Sequence, residues 1–158
     1  MLHRLAFVSI LALAGLSVGP PAVADVAPPA AAALEKAQAL FKSYVDGEAR
    51  FDPAVADLYA DDAVIKNRRT YPDGQIREMT LPAPRYKELV RSAMPVAKQR
   101  GDTSKYSNCK YTAEGERVRI ACNRYSNLKK YDSPLSLLVG PGPKGAWLIF
   151  EELSASQP

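Results

Sequence analysis

The side chains in this chain best suited to moving protons are two acidic doublets, Asp61-Asp62 and Glu151-Glu152, together with eight tyrosines. General acid–base work needs two such groups converging on one molecule. Asp61-Asp62 falls at the expected end of a short helix, where adjacent side chains point apart and a carboxyl pair caps and solubilises a turn. Glu151-Glu152 falls in the last strand, so one side chain goes to each face. One of the two could enter the interior, although a solvated strand end accounts for both without chemistry. Tyr44, Tyr59 and Tyr86 fall on helix stripes, where each serves as a core residue with a polar tip. With Asn67 and Trp147 they are the candidates to line a pocket for a small apolar or aromatic ligand. Spacing alone assigns no residue a catalytic role.

Much of the usual site chemistry is excluded by position. Residues 1–24 read as a secretory signal: Arg4, an apolar run from Leu5 to Val18, then Ala22-Val23-Ala24 before Asp25. The run is shorter than the ~20 residues of a spanning helix. Cleavage removes His3, the only histidine. The expectation is an exported protein, periplasmic or secreted, with no stable membrane insertion after cleavage. Lacking imidazole, a thiolate cluster or a dense carboxylate motif, it is expected to hold no metal and no cofactor.

Size and charge narrow the class further. The mature chain keeps 20 Lys and Arg against 17 Asp and Glu, an excess of three. Its basic clusters, Lys66-Asn67-Arg68-Arg69 and Lys129-Lys130, are short and read as solvated strand edges protected from aggregation. Nucleic acid is not an expected partner. The remaining length suits one domain, read as 34–155 after a flexible Ala- and Pro-rich leader over 25–33.

The elements that must position these side chains follow from periodicity and punctuation. Leu34, Ala37, Phe41, Tyr44 and Val45 recur at helical spacing before Gly47. Asp52-Pro53 is an N-cap and first-turn pair opening a second, short helix to about Asp61. Ala63–Tyr71 and Gln75–Leu81 read as strands joined by the Pro72-Asp73-Gly74 turn. Pro84 opens a third helix carrying Tyr86, Leu89, Val90, Ala93 and Met94, which Pro95 should kink or end. Four strands follow, Thr103–Thr112, Arg117–Lys130, Leu135–Val139 and Ala146–Leu153. This order is α+β, three helices against a mostly antiparallel sheet.

The two cysteines give a test of register. With Gly115-Glu116 central in a two-residue turn, Cys109 faces Cys122. The same register puts Cys109, Tyr111, Ala113, Val118, Ile120 and Cys122 on one face, and Lys110, Thr112, Arg117 and Arg119 on the other. A Cys109–Cys122 disulfide is expected as a structural staple. A turn shifted to Glu114-Gly115 would leave two buried thiols instead. Cys-x-x-Cys spacing is absent, so a redox role is not indicated.

The two leading helices, the phrase Leu58-Tyr59-Ala60-Asp61-Asp62-Ala63-Val64-Ile65, the hairpin, the third helix and Gly145-Ala146-Trp147-Leu148-Ile149 resemble the nuclear transport factor 2-like superfamily. Its members include SnoaL-like proteins and ketosteroid isomerase. The resemblance covers nearly the whole mature chain and implies a cone: a strongly curved sheet around the helices, often with a small-molecule pocket at the open end. Ketosteroid isomerase needs an Asp base and an oxyanion hole of a Tyr and a protonated Asp. The resemblance puts Asn67, Leu40 and Leu135 at those three positions, leaving all three roles unfilled, although Tyr44 lies one turn from Leu40. Scytalone dehydratase relies on histidines that the mature chain lacks. The expectation is therefore a non-enzymatic binding protein, for a small apolar ligand or a protein partner, with a homodimer through the sheet as a further expectation. The alternative is a lyase or isomerase using Asp or Glu with Tyr, and an acid pointing into the cone beside a tyrosine would favour it.

Overall fold

The computed structural model describes residues 29–157. The signal reading and residues 25–28 of the expected leader lie outside them. Helix α1 (Pro29–Ala49) reaches back beyond the expected start near Leu34. Ala30–Ala33 extend it because alanine is the best helix former and proline is tolerated in a first turn. Asp52 caps the next segment as expected, its Oδ1 accepting from the Ala54 amide at 2.9 Å. That segment is a 3-10 turn (Pro53–Leu58) and ends three residues earlier than expected. Tyr59–Asp62 belong instead to β1 (Tyr59–Thr70), which pairs in parallel with the chain's last strand from Tyr59 onward. Sheet pairing thus overrides the helical spacing of Val55, Leu58 and Tyr59.

Next come β2 (Ile76–Pro82) and α2 (Ala83–Arg100). Pro95 does not end α2. It sits on the exposed side, and the helix runs on to Gly101, whose φ of 61° makes the left-handed cap. The remaining strands are β3 (Ser104–Glu114), β4 (Arg117–Ser126), β5 (Tyr131–Pro141) and β6 (Trp147–Ser156).

All six strands form one curved mixed sheet in the order β2-β1-β6-β5-β4-β3. Only the β1–β6 pairing is parallel. Both helices pack on its inner face, α1 against β3 to β6 and α2 against β1 and β2. Ile65, Val118, Ile120, Leu137, Val139 and Ile149 form the sheet side of the core against Ala37, Phe41 and Tyr44 of α1. Burying each large aliphatic side chain contributes about 1.5–3 kcal/mol.

Near the β3–β4 turn the register is the expected one: Glu114 pairs with Arg117, Ala113 with Val118 and Lys110 with Ala121. Gly115 opens the turn at φ +63°. Cys109 and Cys122 form the disulfide. No helix among the described residues is long and apolar enough to cross a membrane.

Candidate active site

Strand β6 decides which acid faces inward. Ile149 pairs with Val139 and Glu151 with Leu138, leaving Phe150 as an extra, unopposed residue. This bulge switches the alternation, so Ile149 and Glu152 both point into the hollow while Glu151 points out. Glu151 accepts from Arg119 on the outer face. Glu152 is only 5% exposed. The expected solvated strand end is therefore corrected for this residue.

Two tyrosines from separate elements meet the Glu152 carboxyl. Tyr59, at the start of β1, donates its hydroxyl to Oε2. Tyr86, on the first turns of α2, donates at 3.1 Å to both carboxyl oxygens. The two rings meet edge to face, with centroids 5.2 Å apart. Burial pushes the Glu152 carboxyl above the usual glutamic acid value, more than the tyrosine hydrogen bonds pull it down. Burial, with Glu152's charge nearby, also pushes the Tyr59 and Tyr86 hydroxyls up. Both phenols stay protonated and act as donors.

A second acid–tyrosine pair stands nearer the opening. Glu48, one residue from the end of α1, accepts from Tyr106 on β3. A bulge again sets the phase: Asn108, at φ +54°, interrupts the β3–β4 ladder, so Tyr106 and Cys109 share the inner face. Opposite Tyr106 stands Arg124, the inward residue two beyond Cys122 on β4. Its Nε donates to Ser104 Oγ at 2.9 Å.

A cavity of about 250 Å³ joins these groups. Glu152, Glu48, Arg124, Tyr44, Tyr86 and Asn67 all contribute to its wall. A neighbouring space of about 280 Å³, between α2 and the start of β3, shares Glu48, Tyr86 and Arg124 and is otherwise mainly apolar. Asn67 is held on both sides, donating to Ser154 Oγ at 3.0 Å and accepting from Ser156 Oγ at 2.9 Å.

Of the five pocket candidates, Tyr44, Asn67 and Tyr86 line this cavity, and Tyr59 stands behind Glu152. Trp147 is five residues up β6, paired with Pro141. Leu135, at one of the positions compared with ketosteroid isomerase, also lines the cavity, and Leu40 is buried in the core. Glu48, Tyr106 and Arg124 were missed. Arg124 was legible, because it shares the parity of Val118, Ile120 and Cys122. Among the described residues no group of three His, Cys, Asp or Glu side chains could hold a metal ion.

A curved six-stranded mixed sheet closed over helices, with a cavity between them, is the nuclear transport factor 2-like, cystatin-like fold, and this chain has it. Among solved structures it is similar to a nuclear transport factor 2-like protein from Novosphingobium aromaticivorans (TM-score 0.56, 14% identity, 80% of this chain and 82% of that one). It is also similar to one of unknown function from Pseudomonas putida (TM-score 0.62, 13% identity, 80% and 87%). A third, from Streptomyces avermitilis, is provisionally described as a dehydratase (TM-score 0.56, 11% identity, 80% and 96%). No family model matches the sequence, and no curated protein matches it.

Proposed function

We propose that this chain is an acid–base enzyme of the lyase or isomerase kind, acting on a small molecule in the cavity bounded by Glu152 and Glu48. The observation carrying this reading is Glu152 itself: a glutamic acid buried beside two tyrosines at a cavity wall. A purely passive pocket gains nothing from an acid whose burial costs free energy. A raised carboxyl pKa keeps the proton available at higher pH than an exposed glutamic acid would, which suits a general acid.

In a dehydration, Glu48 takes the proton from a substrate carbon while Glu152 protonates the departing hydroxyl. The C–H and C–O bonds break, a C=C bond forms and water leaves. Solvent then returns a proton to Glu152 and removes one from Glu48. In an isomerisation, the abstracted proton goes back to a different carbon, while Glu152, held by Tyr59 and Tyr86, donates a hydrogen bond to the developing oxyanion. The dehydratase description of the Streptomyces avermitilis protein is in keeping with the first of these.

The test is deuterium uptake. In D2O, a panel of small enolisable ketones and keto acids, including cyclohexanone and levulinate, is followed by proton NMR. The wild type should exchange C–H protons in at least one compound, and Glu152→Gln should slow that exchange by about 100-fold or more. Equal rates would remove Glu152 from the chemistry. Binding of a panel member without exchange would favour the passive-binding reading.

A further inference from the structure

Among the described residues Arg124 is the one cationic side chain on the wall of the Glu152 cavity, and its terminal nitrogens face open space rather than protein acceptors. The guanidinium is half-buried, and a charge drawn partly out of water is stabilised by an anionic partner. Yet among the described residues no acidic side chain lies within ion-pair distance of it. The guanidinium carries five N–H donors. Nε is held by Ser104, which fixes the plane of the group. The other four donors have no protein partner among the described residues, and the head borders both the inner cavity and the space beside α2. The backbone behind it is anchored, the Arg124 carbonyl accepting from Ser133 Oγ at 3.4 Å.

What would complete this environment is a planar anion. A carboxylate matches the two terminal nitrogens of a guanidinium in a fork-to-fork arrangement. The other charged groups around the joined spaces limit the anion's charge. Glu48, which accepts from Tyr106, lines both spaces, and Asp102 lines the outer one. One cation among these acids suits a monoanion far better than a phosphate dianion. Apolar surface from Leu89, Val90, Ala93 and Met94 continues from Arg124 along α2.

We propose that Arg124 is the anchor for a carboxylate, and that the molecule handled in this cavity is a small monocarboxylic acid whose reacting end lies toward Glu152. The assignment of the reacting end rests on the acid–base reading above. The carboxylate anchor does not.

The test is a titration with benzoate and with its neutral analogue benzamide, followed by 1H–15N NMR including the arginine Nε–H signals. Benzoate should shift the Arg124 Nε–H signal and the Ser104, Tyr106 and Ser133 amides, and bind at least tenfold more tightly than benzamide. Arg124→Gln should weaken benzoate at least tenfold, with Arg124→Lys in between. Comparing the two ligands on the wild type needs no variant to fold. Equal affinity for benzoate and benzamide, or benzoate binding without an Arg124 response, would overturn the proposal. Inorganic phosphate binding through Arg124 as tightly as benzoate would overturn the monocarboxylate assignment. Equal deuterium exchange in wild type and Glu152→Gln, with benzoate binding intact, would remove the acid–base reading and leave the anchor standing.

Discussion

The hollow contains two glutamates that each accept a tyrosine hydroxyl, Glu152 at its deep end and Glu48 near its mouth, and the two stand in different surroundings. Glu152 has two tyrosine donors and is almost wholly buried. Glu48 has one, is half-buried, and shares its space with Arg124. A hydrogen bond to the charged form favours ionisation, and removal from water opposes it. At Glu152 removal from water wins, and the carboxyl is raised. The chemistry of a site is thus set by where the chain places a side chain as much as by its type.

Truncation should separate the two ends most strongly. Glu152→Ala leaves two buried hydroxyls without an acceptor and opens a void, a loss of about 3–5 kcal/mol. The same change at Glu48, which water can reach, should cost about 1 kcal/mol. Urea unfolding of both variants reads the difference directly, and equal losses would break the contrast. The next effect belongs to the mouth alone. Replacing Cys109 and Cys122 together by alanine should cost about 2 kcal/mol, low in the disulfide range because the closed loop is short. It frees β3 from β4 two residues from Arg124, so benzoate affinity should fall while the Glu152 titration stays put. Smaller again, Tyr59→Phe should cost about 1–2 kcal/mol and Tyr106→Phe about half that, measured the same way.

The smallest effect is a slope. The folded pKa of Glu152 lies above its ordinary value of 4.5, so the folded state holds this proton more tightly than the unfolded chain does. The stability this supplies is complete below about pH 4.5 and is lost as pH rises through the folded pKa. Glu152→Gln stays neutral and escapes that loss. The Tm difference between variant and wild type should therefore move in the variant's favour as pH rises across that interval. Parallel profiles would contradict the assignment.

The sheet's local order was readable where alternation and turn chemistry agree. Gly115-Glu116 set the β3–β4 register, and with it the Cys109–Cys122 pairing and the inward row that includes Arg124. Glu152 was not readable as buried, because straight alternation from the buried Ile149 would have sent Glu151 inward. The bulge at Phe150 reverses that, and no glycine or proline marks it. The bulge at Asn108 hid the Tyr106–Glu48 pair in the same way. Tyr59 looked helical because its partner in the sheet is 90 residues away, at Ile149, and a long-range pairing of this kind leaves no trace in local spacing.

The deep end of the hollow holds the Glu152 proton more tightly than water would. Carbon-13 NMR of the glutamate side-chain carboxyls, with Glu152→Gln to assign the signal, measures this without any substrate. The Glu152 resonance should titrate with a midpoint clearly above 4.5. A midpoint at or below that value would show a carboxylate stabilised by its tyrosines, and would contradict the account of Glu152 as a buried general acid.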